Sequence, residues 1–476
     1  MRIERIDAVR NRIPQGAKPG MKTDVVFYAN DALRAHIEKD KALEQAVNVA
    51  CLPGIVGPSL AMPDIHQGYG FPIGGVAAMD WRHGVVSPGG VGYDINCGVR
   101  MARSELLESD VRPRLEQLVD EVFRQVPCGV GGKGKLEISA RDLDHVLEQG
   151  AGWMVRAGYG EESDLDRCEG NGRLEDADPG QVSARAKERG RPQIGTLGSG
   201  NHFLEIQVVE RIEDSSTARA FGLAEGQVVA LIHSGSRGLG HQVCTDYLAQ
   251  MGAAMQKHRL SVPDRQLACV PCQSAEGIAY LSAMRAAANF AWANRQAILH
   301  FLRAAFGRVF GKTARLTLLY DVCHNIAKRE KHVFGDTTVD VLVHRKGATR
   351  AFPPGHAELP AEYTHVGQPV LVPGSMGTAS WILAGAAGAM RESFGSVCHG
   401  AGRMLSRNAA EAGRSAAAVR SALAEQGIVV RSETKDGLVE EVPEAYKDVD
   451  AVIETVSEAG LAIPVARLRP MGVIKG

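Results

Sequence analysis

Twelve residues carry the strongest signal in this chain: Gly89-Gly-Val-Gly-Tyr-Asp-Ile-Asn-Cys-Gly-Val-Arg100. Four glycines surround Asp94 and Cys97, a carboxylate and a thiol three positions apart. Because glycine tolerates positive φ and close approach of other groups, we expect a bent, exposed backbone that presents two anionic ligands. A thiolate can bridge two metal ions, and the carboxylate can fill a further position on one of them. For an isolated Asp-x-x-Cys, the alternative is a tight turn around an inert, buried cysteine.

Histidines farther along the chain shift the balance towards a metal site. Four of them stand beside Gly, Ser or Asn: His202, His233, His324 and His399. The apolar, strand-like runs Gln227–Ile232 and Arg315–Val322 end close to two of these histidines. A single histidine at a strand end is usually a hydrogen-bonded structural residue, but four of them together with Asp94 and Cys97 favour metal binding. The ligand types alone favour zinc.

Composition excludes several classes of protein. The 476 residues carry 54 Lys+Arg and 55 Asp+Glu, so any nucleic-acid surface has to be a local patch. Nine cysteines, an odd number scattered over a long chain, do not resemble a disulfide framework. The N-terminus lacks an apolar signal core, and no apolar run reaches the ~18 residues of a membrane span. We therefore expect a soluble, cytoplasmic protein without a membrane partner.

The order of elements predicts an α+β fold. No linker or internal repeat divides the chain, so we expect one domain over residues 1–476, with mixed β-sheets around a metal-containing cleft and flanking helices. A charged segment at about 160–191 is expected to be a solvated helix or a lid. Ala275–Val309 is Ala-rich and predicts two packed helices. Ala61–Gly70 is predicted to be a loop in which Asp64 and His66 either support the site or only fix the turn.

Basic residues near the glycine-rich motifs indicate the substrate class. Arg237, Arg345, Lys346 and Arg403 lie close in sequence to these motifs. Glycine-rich loops offer backbone N–H groups to phosphates, and guanidinium groups match phosphate geometry. Residue chemistry by itself therefore predicts a metal-dependent enzyme that acts on phosphate esters.

Seven motifs in order extend this prediction to a family. They are Met62-Pro-Asp-Ile-His-Gln-Gly, Val91-Gly-Tyr-Asp-Ile-Asn-Cys-Gly, Gly195-Thr-Leu-Gly-Ser-Gly-Asn-His-Phe, Ile232-His-Ser-Gly-Ser-Arg-Gly, Asp321-Val-Cys-His-Asn, Pro373-Gly-Ser-Met-Gly and Cys398-His-Gly-Ala-Gly-Arg. Together they resemble the RtcB family of RNA-splicing ligases. The resemblance covers nearly the whole chain, down to the penultimate Lys475, and its specificity comes from the number and order of the motifs.

The resemblance implies a Mn²⁺- and GTP-dependent ligase that joins an RNA 3′-phosphate or 2′,3′-cyclic phosphate to a 5′-hydroxyl. By motif, Cys97 would bridge two Mn²⁺ ions, with His233 and His324 on one and Asp94 and His202 on the other. His399 would be the nucleophile that takes GMP from GTP. The residues implied to bind the nucleotide and its metals are Asn201, His202, Phe203, Leu204, Glu205, His324, Asn325, Pro373, Gly374, Ser375, Met376, Ser380, His399, Gly400, Ala401, Gly402 and Lys475, with Tyr446 as a weaker candidate. Manganese comes only from the resemblance and differs from the ligand-based expectation of zinc.

Three other functions stay open at the level of sequence. A dinuclear metallo-phosphodiesterase would open cyclic phosphates or cleave diesters without joining ends. A non-catalytic RNA- or metal-binding relative would lack the intact ligand set and His399. Within the family, the protein could be a paralogue for RNA repair or for capping 3′-phosphate ends. The RNA substrate, an archease-type activating partner and the role in tRNA splicing are implied only by the resemblance.

Overall fold

Strand and helix segments alternate irregularly along the chain, as the predicted α+β class requires. The computed structural model describes residues 1–311, 314–334, 336–434 and 436–476. Its strands are β1 (Glu4–Arg5), β2 (Arg10–Ile13), β3 (Val25–Tyr28), β4 (Ile55–His66), β5 (Ile73–Asp80), β6 (Val85–Val86), β7 (Gly98–Leu107), β8 (Phe203–Ile212), β9 (Gln227–Ser234), β10 (Val270–Pro271), β11 (Leu316–Cys323), β12 (Asn325–Phe334), β13 (Thr337–Lys346), β14 (Ala348–Arg350), β15 (Pro369–Val372), β16 (Ser380–Gly385), β17 (Ser396–Cys398), β18 (Val429–Ser432) and β19 (Ala462–Lys475).

Helices flank these strands. They are α1 (Asp31–Ile37), α2 (Ala42–Val49), α3 (Glu108–Val111), α4 (Leu115–Gln125), α5 (Ala140–Gln149), α6 (Ala151–Arg156), α7 (Glu162–Asp166), α8 (Ala184–Gly190), α9 (Ser215–Phe221), α10 (Arg237–Lys257), α11 (Ala275–Phe310), α12 (Ala387–Glu392), α13 (Arg407–Glu411), α14 (Ala416–Glu425), α15 (Asp436–Val439) and α16 (Val449–Glu458). Among the described residues, no helix is both long and apolar enough to cross a bilayer.

Two large mixed sheets dominate the described part of the chain. The first has seven strands in the order β1-β2-β3-β4-β5-β13-β12. The second has eight, with β11-β7-β9-β8-β19-β16-β15 in line and β18 paired to β19. Most pairs are antiparallel, whereas β3–β4 and β18–β19 are parallel. The α+β fold class with mixed sheets is therefore confirmed, while the single-domain organisation stays a prediction.

Strand direction in the second sheet brings distant residues to one edge. Strands β7 and β8 begin at this edge, and their antiparallel neighbours β9 and β11 end there. Gly98 pairs with both Ser234 and Cys323, and Phe203 pairs with His233. Because these register positions adjoin the predicted ligands in sequence, the fold collects the predicted ligands at a single edge.

Two predicted segments differ in the structure. Ala275–Phe310 forms one continuous helix instead of two packed helices. It contains no proline, and it packs against α4, α5, α6 and α10, which support it along its length. The predicted loop Ala61–Gly70 belongs to strand β4 as far as His66, because β3 and β5 flank it on both sides. Its irregular register between Ala61 and His66 accommodates Pro63, which has no N–H to donate.

The charged segment at 160–191 contains helices α7 and α8. Two of its carboxylates are buried in ion pairs, Asp164 with Arg303 at 2.7 Å and Glu169 with Lys328 at 2.6 Å. A role of this segment as a lid stays a prediction.

Candidate metal and nucleotide site

The five predicted metal ligands lie together at the shared strand edge. They form two triads, Cys97-His233-His324 and Asp94-Cys97-His202, in each of which the ligand atoms lie within 4.8 Å of one another. Cys97 Sγ is 3.3 Å from His233 Nε2 and 3.4 Å from His202 Nε2. His233 Nε2 is 3.3 Å from His324 Nε2, and His202 Nε2 is 2.7 Å from Asp94 Oδ2. Cys97 is the residue common to both triads.

Local backbone geometry shapes the loop that carries Asp94 and Cys97. Gly92 has φ of +94° and Asn96 has φ of +52°, so the chain bends on both sides of the carboxylate. A side chain at Gly235 would place its Cβ 2.3 Å from Asp94 Oδ1, so only glycine fits against the carboxylate. The backbone N–H of His324 donates to Cys97 O at 2.9 Å, and this bond ties two ligand segments together.

Electrostatics favour neutral imidazoles in the cluster. Burial lowers the pKa of His202, His233 and His324, and neighbouring histidines lower the last two further. Burial, followed by the nearby Asp94 carboxylate, raises the pKa of the Cys97 thiol. Although burial opposes it, the His202 imidazole holds the pKa of Asp94 below its usual range. Neutral imidazole is the form that binds a metal.

The donor set fits divalent transition-metal ions. Ligand atoms on metal bonds of about 2.0–2.3 Å lie roughly 3.3–3.8 Å apart in a tetrahedral site. The distances of Cys97 Sγ to its two histidine partners fall at the lower end of this range. A thiol shared by two triads, with two imidazoles on one side and an imidazole plus a carboxylate on the other, suits two ions bridged by sulfur.

His399 approaches this cluster from the other side of the cleft. It follows strand β17, and its ring centroid is 4.6 Å from that of His324. His399 Nδ1 donates to Asp64 Oδ2 at 2.6 Å, and the backbone N–H of His399 donates to the same oxygen at 3.1 Å. In the neutral imidazole with its proton on Nδ1, Nε2 carries a free lone pair. Asp64, which the sequence left open as either a supporting or a turn residue, contacts His399 directly.

A cavity of about 330 Å³ opens beside the ligands and His399. The predicted residues that line it are Asp94, Cys97, Asn201, Phe203, His233, His324, Asn325, Lys346, Pro373, Gly374, Ser375, Met376, His399, Gly400, Ala401, Gly402, Arg403, Tyr446 and Lys475. The other predicted residues, His202, Leu204, Glu205 and Ser380, are not among the residues that line the cavity. Asn325 donates through Nδ2 to Asp94 O at 3.1 Å and accepts from Gly347 N at 2.9 Å, so its amide supports the loop.

A hydrogen-bonded chain joins strand β8 to the Pro373–Met376 loop. Gln207 donates to Glu205 Oε2 at 2.6 Å and to Ser380 Oγ at 2.9 Å, and Gly374 N donates to Ser380 Oγ at 3.2 Å. The other Glu205 oxygen, Oε1, is buried without a partner among the described residues. Burial raises the pKa of Glu205 to about 8, against the opposing effects of Gln207 and Lys475.

The C-terminal lysine lies in the sheet interior instead of a loose tail. Lys475 pairs with Phe203 across β19 and β8, is 1% exposed, and places Nζ 3.7 Å from Glu441. Arg403 donates to Glu441 at 3.0 Å and to Tyr446 OH at 3.1 Å, with its guanidinium 5.1 Å from the Tyr446 ring centroid.

Sequence reasoning did not assign several residues of the cavity wall. These are Tyr69, Ile73, Gly92, Tyr93, Gly347, Arg407 and Glu441, and His66 was left open. Gly92 and Tyr93 stand inside the opening glycine-rich stretch, so their position beside Asp94 was an available signal. Glu441 and Arg407 carry no local motif, and only the tertiary structure brings Glu441 to Lys475 and Tyr446 and brings Arg407 to the cavity wall.

The fold and site define an α+β protein with a candidate two-metal centre beside a cavity. The family model described as tRNA-splicing ligase RtcB matches residues 45–476, and the chain belongs to this family. Relatives named tRNA-splicing ligase RtcB share 55% identity in Thermococcus kodakarensis, 54% in Pyrobaculum aerophilum and 53% in Archaeoglobus fulgidus. Each alignment covers 100% of this chain and 99% of the relative.

Proposed function

We propose that this protein is a GTP- and Mn²⁺-dependent RNA ligase that joins an RNA 3′-phosphate or 2′,3′-cyclic phosphate to a 5′-hydroxyl, in tRNA splicing or RNA repair. The observation that supports it best is the placement of His399, whose Nδ1 bonds to Asp64 while its Nε2 has no hydrogen-bond partner among the described residues. This imidazole lies against His324 of the candidate metal centre and lines the same cavity. Membership of a family of RNA ligases supports the reaction class.

The first chemical step uses His399 as nucleophile. Nε2 attacks the α-phosphorus of GTP, the bond from that phosphorus to the bridging oxygen breaks, and pyrophosphate leaves. The proton on Nδ1 stays in the hydrogen bond with Asp64, which stabilises the charge that develops on the ring. The backbone at Gly400–Gly402 and Pro373–Met376 lines the cavity near this point and offers donors to phosphate oxygens.

The next two steps transfer and then release GMP. An RNA 3′-phosphate oxygen attacks the GMP phosphorus and His399 Nε2 leaves, which yields RNA(3′)pp(5′)G. The 5′-hydroxyl oxygen then attacks the RNA phosphorus and gives up its proton to solvent, a 3′,5′-phosphodiester forms, and GMP leaves with the electron pair. A cyclic phosphate has to take up one water before it offers a terminal monoester. When bound by Asp94, Cys97, His202, His233 and His324, two Mn²⁺ ions would offset the negative charge of the two phosphates.

Guanine recognition is assigned to Glu205, Lys475 and Ser380. A guanine base offers N–H donors on its Watson–Crick edge, whereas adenine at the same place presents an acceptor. Glu205 Oε1 is a buried acceptor without a partner among the described residues, which suits a donor-bearing base. We therefore expect GTP to be used far better than ATP. A cytoplasmic location and an archease-type activator remain predictions.

The test is to incubate the pure protein with Mn²⁺ and α-³²P-labelled GTP and to measure acid-labile label on the protein. We expect His399→Ala to form no adduct, to keep its bound Mn²⁺, and to seal RNA that already carries the 3′-terminal pp(5′)G. His258→Ala, at a partly buried residue that directly follows α10 and pairs with Glu276, is the control and should label normally. A labelled adduct in His399→Ala would move the nucleophile elsewhere. Loss of Mn²⁺ in that variant would make His399 a ligand and favour the phosphodiesterase.

A further inference from the structure

Three aromatic rings meet at the cavity next to the candidate metal ligand Asp94. Tyr93 stacks on His241 with ring centroids 4.8 Å apart and an interplanar angle of 29°. Tyr69 packs edge-on against Tyr93, with centroids 5.3 Å apart and an angle of 67°. Tyr69 and Tyr93 line the cavity and are partly exposed, and His241 is exposed. We refer to these three residues as the aromatic stack.

The aromatic stack is held in place by its surroundings. Lys346 Nζ donates to Tyr69 O and to Gly89 O, so one buried side chain fixes both the Tyr69 loop and the start of the ligand loop. Gly70 N donates to Gln266 Oε1 at 3.0 Å, and His241 lies in the first turns of helix α10. Fixed rings lose little conformational entropy when a ligand packs on them.

None of the steps proposed above uses this aromatic stack. Phenol and neutral imidazole rings of this kind supply a planar surface for another planar group, and the chain has only 9 tyrosines in 476 residues. The charge nearby suits an anionic strand. Arg237 Nη1 is 3.3 Å from His202 Nδ1, and Arg189 donates to Gln242 Oε1 at 2.8 Å beside His241.

We propose that the aromatic stack binds the terminal nucleobase of an RNA end and thereby places the reacting terminus of that RNA beside Asp94 and the metal ligands. An RNA end loses the stacking of its last base when it enters a cleft, and aromatic side chains replace that stacking. Tyr93 adjoins Asp94 in sequence, so a base on this ring is held within about one nucleotide of the ligand cluster. The inference rests on the proposed function. Both the 3′-phosphate end and the 5′-hydroxyl end carry such a base.

The experiment measures kcat/KM for sealing with RNA pairs that lack one terminal base. One pair has an abasic ribose at the 3′-phosphate terminus, and the other has it at the 5′-hydroxyl terminus. For wild-type protein we expect a loss of about 5- to 150-fold at the contacted end, the range given by stacking of ~1–3 kcal/mol per base. The end that shows the loss identifies the source of the base.

Variants then test whether the loss belongs to the stack. In Tyr93→Leu, kcat/KM for the natural RNA should fall by the same factor that the abasic site causes in wild-type protein. The kcat/KM for the abasic RNA should be the same in Tyr93→Leu as in wild-type protein. Tyr93→Phe keeps the ring and should retain the wild-type preference for the natural base. Because the ratio of the two substrates is measured within each variant, it does not depend on the folded fraction. His241→Leu, on the helix surface, should also reduce the ratio of kcat/KM for natural RNA to that for abasic RNA. His356 stacks on Phe352 elsewhere in the molecule, so His356→Leu should leave this ratio unchanged.

Three results would overturn the inference. An abasic penalty of equal size in wild type and Tyr93→Leu would show that the base is bound elsewhere. Equal defects in Tyr93→Phe and Tyr93→Leu would assign the effect to the hydroxyl group. Loss of the GMP adduct in Tyr93→Leu in proportion to the loss of sealing would place the stack with the nucleotide or the metals. If wild-type protein forms no GMP adduct and seals no RNA, the proposed function itself fails, which is a different outcome.

Discussion

Two buried polar regions meet where strand β7 begins. Behind the ligand loop lies a polar layer of Arg100, Arg295 and Asp321, all 0% exposed. In front lie the candidate metal and nucleotide residues, which we call the pocket, where Glu205 is 1%, His324 2% and His233 4% exposed. Burial is therefore nearly the same in the two regions.

The polar layer and the pocket differ in how completely their polar atoms are hydrogen-bonded. In the polar layer, Arg295 donates to Asn96 O at 2.7 Å, to Ser234 O at 2.9 Å and through two nitrogens to Asp321. Arg100 adds a bond of 2.6 Å to Asp321. In the pocket, Glu205 Oε1 and the Nδ1 atoms of His233 and His324 have no partner among the described residues.

This difference in hydrogen bonding distinguishes the polar layer, which supports the site, from the pocket residues, which are candidates for ligand binding. Native proteins pair nearly all buried polar groups, so the unpaired Glu205 oxygen is a candidate for bonding by a ligand, whereas the metal-facing atoms of His233 and His324 are their Nε2 atoms. Arg295 joins the Asp94–Cys97 loop, the end of β9 and, through Asp321, strand β11. One guanidinium thus fixes three segments that carry the candidate ligands. Three substitutions test this contrast.

The largest effect is expected from Cys97→Ser in the pocket. Removal of the shared thiolate takes a donor from both triads, so Mn²⁺ affinity should fall by more than the roughly 10- to 100-fold seen for outer contacts, and ligation should fall to background. Metal content and ligation rate measure this result. Cys269→Ser, also buried but outside the triads, should keep both. Near-normal ligation by Cys97→Ser with Mn²⁺ would refute the bridging role.

A smaller effect is expected in the pH dependence of stability. The pKa of Glu205 is about 8 in the folded protein and 4.5 when unperturbed, so its neutral form favours folding. This contribution is complete below pH 4.5 and is lost as pH rises to 8, by up to about 1.4 kcal/mol per pH unit. Glu205→Gln stays neutral, so its free energy of unfolding should decline less over this range than that of wild type. Denaturant unfolding at pH 5 to 8.5 measures both slopes, and parallel slopes would contradict the assignment.

The smallest effect is expected from Arg295→Lys in the polar layer. Lysine keeps the charge but loses the planar fork, so the free energy of unfolding should fall by about 2–3 kcal/mol and Mn²⁺ affinity by about tenfold. Arg303→Lys, eight residues along the same helix and paired with Asp164, is the matched control. It should lose stability without losing Mn²⁺ affinity. Equal metal affinities in the two variants would reduce Arg295 to a purely structural role.

Much of the site was predictable because its chemistry is local in sequence. Asp94 and Cys97 share one bent loop, and His233 and His324 follow apolar runs that had to become strands. Antiparallel pairing then brings alternate strand starts and ends to one edge. The helical nature of Ala275–Val309 was predicted correctly, but its division into two helices and the loop at Pro63 were wrong, because packing partners distant in sequence determine both.

By itself, the sequence determined the donor types, the α+β class and the family-like order of motifs, since each depends on neighbouring residues and their period. Only the tertiary structure decided which groups meet. Asp64 reaches His399 across 335 positions, Arg295 reaches Asn96 across 199, and Tyr93 stacks on a ring of helix α10. These contacts leave no local pattern, because hydrogen bonds and ring contacts depend on distance in space and not on separation along the chain.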